Sequence, residues 1–243
     1  MEPYLQWRTQ GLLQEDGVLV GSDISFEWLL PWWWENYRRH NLFPVAFVDF
    51  GMSTSMKNWC RKRGDLLSLS VSDLCISGKE EVDPLLVENW EEKGGKRFWE
   101  IRAIWYKKLI ACLQSPFKRS IWIDLDCEIL SQLDPIYSFC KEPAGLSVAW
   151  YEEADTFNGG VIAFERGSPV FEKWVVEAFE NQHQFRGDEE VLTALVKEKK
   201  ISLEELPRKY NWSYKLKLPS EPSIIHWYGP VGKHQIYQKI NSL

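Results

Sequence analysis

Two carboxylates, Asp124 and Asp126, close an apolar run in "IWIDLDCEIL" (121–130) that otherwise has the composition of a buried β-strand. Neighbouring carboxylates in a dry setting repel, and one takes up a proton unless a cation sits between them. A divalent metal is the simple remedy. Oxygen ligands favour Mg2+ or Mn2+, and a histidine added to the set tilts the choice towards Mn2+. A D-x-D triplet arises by chance roughly once in a chain of this size, so its context matters more than its spacing. The context is a strand terminus, and the carboxyl ends of strands in open α/β sheets are where ligands bind. The bland alternative has Asp126 capping the next turn while Asp124 pairs with a lysine.

The surrounding elements must place this pair. "GVLVGSD" (17–23) reads as a strand leading into a helix, "ISFEWLLPWWWENYRRH", with Pro31 near its start. "FPVAFVDF" (43–50) reads as a second strand, "SMKNWCRKRG" as a helix closed by Gly64, and "DLLSLSV" as a third strand. The alternation predicts an α/β domain with a mostly parallel sheet. Residues 77–96 are rich in Gly, Glu and Lys without a clean period and read as a surface excursion. "RFWEIRAIWYKKLIACLQ" (97–114) is a helix by the recurrence of Trp99, Ala103, Tyr106 and Ile110, and Pro116 breaks it. A strand in "FNGGVIAF", helices in "SPVFEKWVVEAFE" and "GDEEVLTALVKEKK", and a last strand in "SIIHWYG" follow.

Composition excludes several classes. The 243 residues, 44% hydrophobic and 26% charged, suit one large α/β domain that folds. A net charge of −6, with only "KEKK" (197–200) as a compact basic cluster, argues against a nucleic-acid surface. The 5 cysteines (Cys60, Cys75, Cys112, Cys127, Cys140) form no CxxC pair and read as reduced thiols of a cytoplasmic protein. "MEPYLQWRTQ" has no basic start followed by an apolar core, and "WLLPWWW" is too short to span a membrane, so neither a signal peptide nor a span is expected. Most of the 14 tryptophans should be core.

Taken in order, "IWIDLDCEIL", "FNGGVIAF", "GDEEVL" and "HWYGPVGK" resemble blocks of the retaining sugar-nucleotide glycosyltransferases of the GT-A fold, glycosyltransferase family 8 of the glycogenin and lipopolysaccharide galactosyltransferase type. The resemblance runs from Gly17 to Lys233. It implies a single GT-A domain over residues 1–243, with a Rossmann-like, mostly parallel central sheet flanked by helices. It also implies metal-dependent transfer of a sugar from a nucleotide-diphosphate donor, a UDP-sugar, to a carbohydrate or other hydroxyl acceptor, with retention.

The resemblance puts Asp124 and Asp126 on a metal bridging the donor diphosphate, with His226 as third ligand and Gly229 close to the phosphates. Breaking the anomeric bond leaves negative charge on the departing oxygen, which a Lewis acid stabilises. Lys233 matches the lysine of the H-x-x-G-x-x-K pattern only if one residue is inserted. Lys108 falls where a cation faces the phosphates, with Lys107 the solvated neighbour. Asp23 falls near the nucleotide base, and could equally cap the helix after it. Asn158, Gly159 and Gly160 correspond to positions against the donor sugar. Asp188 is carried over from an Asp-Gln segment, and Glu189 stands where Gln is common.

That last departure bears on mechanism. Retention needs a covalent intermediate on a carboxylate, or an internal return in which the leaving group guides the acceptor from the same face. Internal return with Asp188 positioning sugar or acceptor is the favoured expectation, with a covalent route through Glu189 beside it. "LPRKYNWS" (206–213) looks like the acceptor side, with Asn211 structural; Trp212, Tyr214 and Trp227 read as core or as a sugar platform. Two other classes remain. A haloacid-dehalogenase-like phosphohydrolase would use Asp124 as nucleophile, although Glu128 replaces its usual Thr or Val and the motif lies far from the N-terminus. A catalytically silent sugar-nucleotide or glycan-binding module would bind without transfer.

Overall fold

Runs of Val, Leu and Ile without intervening polar residues can bury both faces of a strand, and such runs lie in the middle of this molecule. The computed structural model describes residues 14–69, 78–141, 144–217 and 221–242. Cys75, the end of the third predicted strand at Ser70 and Val71, and the "MEPYLQWRTQ" start lie outside the described residues. In chain order the strands are β1 (Gln14–Ser22), β2 (Val45–Asp49), β3 (Asp65–Ser68), β4 (Phe117–Ile123), β5 (Cys127–Ile129), β6 (Leu146–Tyr151), β7 (Thr156–Glu165), β8 (Glu204–Glu205), β9 (Trp212–Ser213) and β10 (Ile224–His226). The helices are α1 (Leu30–His40), α2 (Thr54–Arg61), α3 (Pro84–Gly94), α4 (Phe98–Leu113), α5 (Pro169–Glu180), α6 (Asp188–Lys197) and α7 (Gly229–Asn241).

Seven strands form one sheet in the order β3-β2-β1-β4-β7-β6-β8. Only β7 runs against the others, antiparallel to both β4 and β6. Because successive side chains point to opposite faces, Val18, Val20, Ile121 and Ile123 meet Trp33 and Tyr37 of α1. Leu19, Ala46, Val48 and Trp122 turn the other way, onto Tyr106, Leu109 and Ile110 of α4 and Trp174 of α5. Trp33 and Trp174 are both 0% exposed, and burial of rings this size contributes roughly 2–3 kcal/mol each.

Two departures from the sequence reading bear on the site. The predicted excursion after residue 77 contains helix α3: Asp83 accepts the Leu85 N–H at 2.8 Å, Pro84 opens the helix, and Gly95 at φ 74° ends it. Val87 and Trp90, one turn apart, pack on Phe98, and that spacing outweighs the polar composition. The last predicted strand, β10, leaves the large sheet altogether. It lies in a second sheet of order β5-β10-β9, antiparallel to β5, with His226 opposite Cys127.

Candidate functional site

β4 ends at Ile123, and the two carboxylates occupy the turn between it and β5. The Asp124 N–H donates to Gly160 O at 2.8 Å, and the Cys127 N–H returns to Asp124 O at 3.1 Å, which closes the turn. The Trp227 N–H then donates to Asp126 O at 2.8 Å. That bond, with the β5–β10 pairing, is what brings a residue 100 positions downstream onto the aspartates. His226 Nε2 lies 3.3 Å from Asp126 Oδ1 and 4.0 Å from Asp124 Oδ2. Asp126 and His226 are buried, whereas Asp124 is half-buried with one edge open to solvent.

Lys233, in the first turns of α7, places its ammonium on Asp126 Oδ2. Burial pushes the Asp126 pKa up, but Lys233 and His226 outweigh it and hold the carboxyl well below its ordinary value. Gly229 begins α7 at φ 78°, a conformation that favours glycine. The Trp122 indole donates to Asp124 Oδ1 at 2.6 Å, leaving Oδ2 towards the imidazole.

The residues fit a hard divalent cation. A carboxylate and an imidazole nitrogen meet in a mostly buried corner with a second carboxylate, Asp124, 4.0 Å from the ring, and oxygen and imidazole donors of this kind suit such an ion. Cys127 also lies in this corner, with ligand atoms of Asp126, Cys127 and His226 all within 4.8 Å of one another. Its thiol is spent elsewhere: it donates to Gly160 O at 3.7 Å, and burial drives its pKa well above the ordinary value. Asp124 lies outside that group of three, with its Oδ2 4.0 Å from the same imidazole nitrogen.

Behind this corner lies a second charged cluster. Lys108 of α4 is 3% exposed; its ammonium sits 3.1 Å from Asp188 Oδ2 and donates to Gly159 O at 3.2 Å. Burial opposes its charge, yet Asp188, Asp124 and Glu189 together keep its pKa raised. Lys108 thus lies beneath β7, neutralising Asp188, and does not face open solvent. Asp188 is 2% exposed and raised by burial against the pull of Lys108. Glu189 reaches further out. Its Oε1 accepts the Gly159 N–H at 2.7 Å, and burial, then Asp188, raise its pKa to about 7.

The glycines join the two clusters. Opposite β6, the partners of Val148 and Ala149 jump from Ile162 to Asn158, so β7 bulges through Gly159, Gly160 and Val161. A Cβ on Gly159 would stand 2.9 Å from Lys108 Nζ, and one on Gly160 would stand 2.2 Å from His226 Cε1. Close approach of the protein's own charged side chains is reason enough for both. Gly160→Ala is expected to push the imidazole off the aspartates, costing about 1–3 kcal/mol in denaturant unfolding; an unchanged unfolding midpoint contradicts this placement.

Of the remaining expectations, Asp23 caps the turn after β1, its Oδ1 accepting from Ser25 N at 3.0 Å and Phe26 N at 3.1 Å. Its other oxygen is 4.0 Å from Arg97; Asp23 holds the turn and does not cap α1, whose N-cap is Leu29 without a side-chain bond. Asn158 Oδ1 points inward, to His226 Nδ1 and the Gly160 N–H, at 3.0 and 3.1 Å. Tyr214 and Trp227 stack on each other at 5.3 Å and 26°, half-buried. Sequence reasoning missed Trp122 and underrated Asn211, whose side chain lies 3.1 Å from His226 Nδ1. Nothing local in "KYNWS" says which ring that asparagine will meet.

No protein-family model matches this chain, and no curated protein sequence matches it. Solved structures do. The galactosyltransferase LgtC, in complex with donor and acceptor sugar analogues, aligns with a TM-score of 0.62 at 12% identity over 94% of this chain and 96% of its own. Mouse xyloside xylosyltransferase 1 aligns at 0.56 and 14% identity over 87% of this chain and 97% of its own. The glycosyltransferase GlyE of Streptococcus pneumoniae gives 0.60 and 14% identity over 89% of this chain, which spans 55% of the GlyE chain. This chain has the GT-A glycosyltransferase fold.

Proposed function

We propose that this chain is a metal-dependent glycosyltransferase, one GT-A domain that moves a sugar from a UDP-sugar to a hydroxyl acceptor with retention of anomeric configuration. The convergence of Asp124, Asp126 and His226 at the end of β4, beside Lys233 and the start of α7, supports this reading above all. Asp124, Asp126 and His226 would hold Mn2+ or Mg2+. When bound, that ion supplies Lewis-acid stabilisation of the departing diphosphate.

The chain's own groups do the rest. The Gly229 end of α7 binds diphosphate oxygens through its free N–H groups, and Lys233 turns from Asp126 to add a charge-assisted bond. Asp23 lies on the nucleoside side, at the end of β1. Gly159 and Gly160 present backbone to the donor sugar, and Lys108 holds Asp188 beneath them. In the internal-return step the anomeric C–O bond to phosphate breaks and the leaving oxygen takes the acceptor's hydroxyl proton. The acceptor oxygen then bonds to the anomeric carbon from the same face. Glu189 lines that face and positions the sugar or acceptor. A covalent route would need Glu189 ionised, and a pKa of about 7 leaves it partly protonated at neutral pH.

The phosphohydrolase reading loses ground, because Asp124 Oδ1 is bound by Trp122 and the similar folds belong to glycosyltransferases. The test is a thermal-shift screen against UDP-, GDP-, ADP- and CMP-sugars with Mn2+, Mg2+ or EDTA, since a ligand that prefers the native state raises its melting temperature. A shift requiring both a UDP-sugar and Mn2+ is expected, followed by retained configuration in the product by NMR. No shift with any pair, or phosphate release from a phosphomonoester, overturns the proposal.

A further inference from the structure

The imidazole of His226 is held by a hydrogen-bond network whose polarity two backbone groups dictate. The Gly160 N–H can only donate, so the Asn158 side-chain atom 3.1 Å from it is the oxygen. The Asn158 carbonyl can only accept, so the Asn211 side-chain atom 3.0 Å from it is the nitrogen, which also donates to Asn158 Oδ1 at 2.9 Å. The Asn211 oxygen is thereby turned to His226 Nδ1, at 3.1 Å, and Asn158 Oδ1 lies 3.0 Å from the same nitrogen. Two acceptors facing one ring nitrogen require a proton on it. When the ring is neutral its lone pair is on Nε2, the atom aimed at Asp126 and Asp124, where a cation would relieve it, and a ring protonated at both nitrogens would donate from Nε2 to Asp126 instead.

Behind Asn211, the Tyr151 hydroxyl donates to its backbone oxygen at 2.8 Å and lies 3.2 Å from Oδ1. Asn211 is 0% exposed, Tyr151 2% and His226 3%, so no water takes over a lost bond without a rearrangement. We infer that Asn211, braced by Tyr151, is a positioning residue that fixes His226 in the Nδ1–H tautomer and so presents Nε2 to the metal. The inference rests on the metal reading above. It assigns to a loop 53 residues from Asn158, next to the expected acceptor side, a role in cation affinity.

The tautomer is read from nitrogen-15 histidine NMR of the metal-free full chain at about pH 9. The expected spectrum has His226 protonated at Nδ1 and bare at Nε2. Mn2+ affinity is then titrated by EPR of the free ion. Asn211→Ala is expected to weaken binding about tenfold or more. Asn211→Asp keeps an oxygen facing Nδ1 but sets its second oxygen against Asn158 O and Oδ1 in place of the two Nδ2 bonds, so its affinity should fall between those of the wild type and Asn211→Ala. A purely structural asparagine predicts the reverse, equal damage in both variants. Tyr151→Phe, which keeps the ring in the core, gives a smaller loss and preserves the test if Asn211→Ala fails to fold. Nε2–H in the wild type, or equal losses in the two Asn211 variants, overturns the inference. A wild type that binds no Mn2+ removes the metal reading instead, while the tautomer still decides the network.

Discussion

Asp126→Ala abolishes the metal-dependent stabilisation by a sugar nucleotide that the wild type is expected to show, and lowers Mn2+ affinity by about 100-fold or more, as removal of an inner ligand should exceed the 10–100-fold cost of outer-shell changes. The reason is the burial of this carboxylate between His226 and Lys233. The fold should survive, because the Lys233 side chain is 25% exposed and can turn its ammonium to water. A pH series separates the ionic part. With its folded pKa below the ordinary 3.8, Asp126 stabilises the native state above that value and loses the contribution as pH falls through the folded pKa. Wild-type and variant denaturant midpoints should therefore converge only in that acid range. Convergence already at neutral pH, or unchanged Mn2+ binding, removes Asp126 from the site.

Lys108→Met should have the largest effect on stability, about 3–5 kcal/mol in denaturant unfolding, because it leaves Asp188 buried without its cation. Lys108→Met combined with Asp188→Asn should regain at least half of that loss, since the uncompensated charge is then gone. The single variant should also change its pH response. Asp188 is already raised by burial beside Lys108, and without that cation it rises further, so the fall in stability as pH rises past about 4 would become larger and extend to higher pH. Equal stability of the single and double variants would show that the pair is only packed, and that the carboxylate is relieved by some other group. Activity should drop in both variants, because Lys108 also holds Gly159 O, where β7 bulges towards the site.

The two cases differ in how far the sequence foretold them. Asp124 and Asp126 stand out locally, as acids in an apolar strand, and His226 stands out through its Gly-Pro-Val-Gly-Lys surroundings. The association of Lys108 with the site was legible through the resemblance, but its partner was not. Lys108 and Asp188 are 80 residues apart and meet because α4 and α6 pack on the same face of the sheet. α3 was legible in retrospect: Asp83-Pro84 and the Val87, Trp90 spacing are ordinary helix signals that the surrounding Glu and Lys residues obscured.

Periodicity and punctuation act over a few residues, so the chain alone determined β1 to β3 with α1 and α2 between them, α4, β4, β7, α5 and α6, the buried tryptophans, and the acidic turn after β4, but not α3, β5 or β6. What belongs to long-range closure only the tertiary structure decided. That includes the separation of β10 into a second sheet, the reversal of β7, and the meeting of His226 with Asp126 across the β5–β10 pair. It also includes the turning of two asparagine amides so that one imidazole nitrogen faces the acids. Each of these depends on which backbone donor or acceptor a side chain meets across the fold, and such pairings leave no periodic trace in the residues that make them.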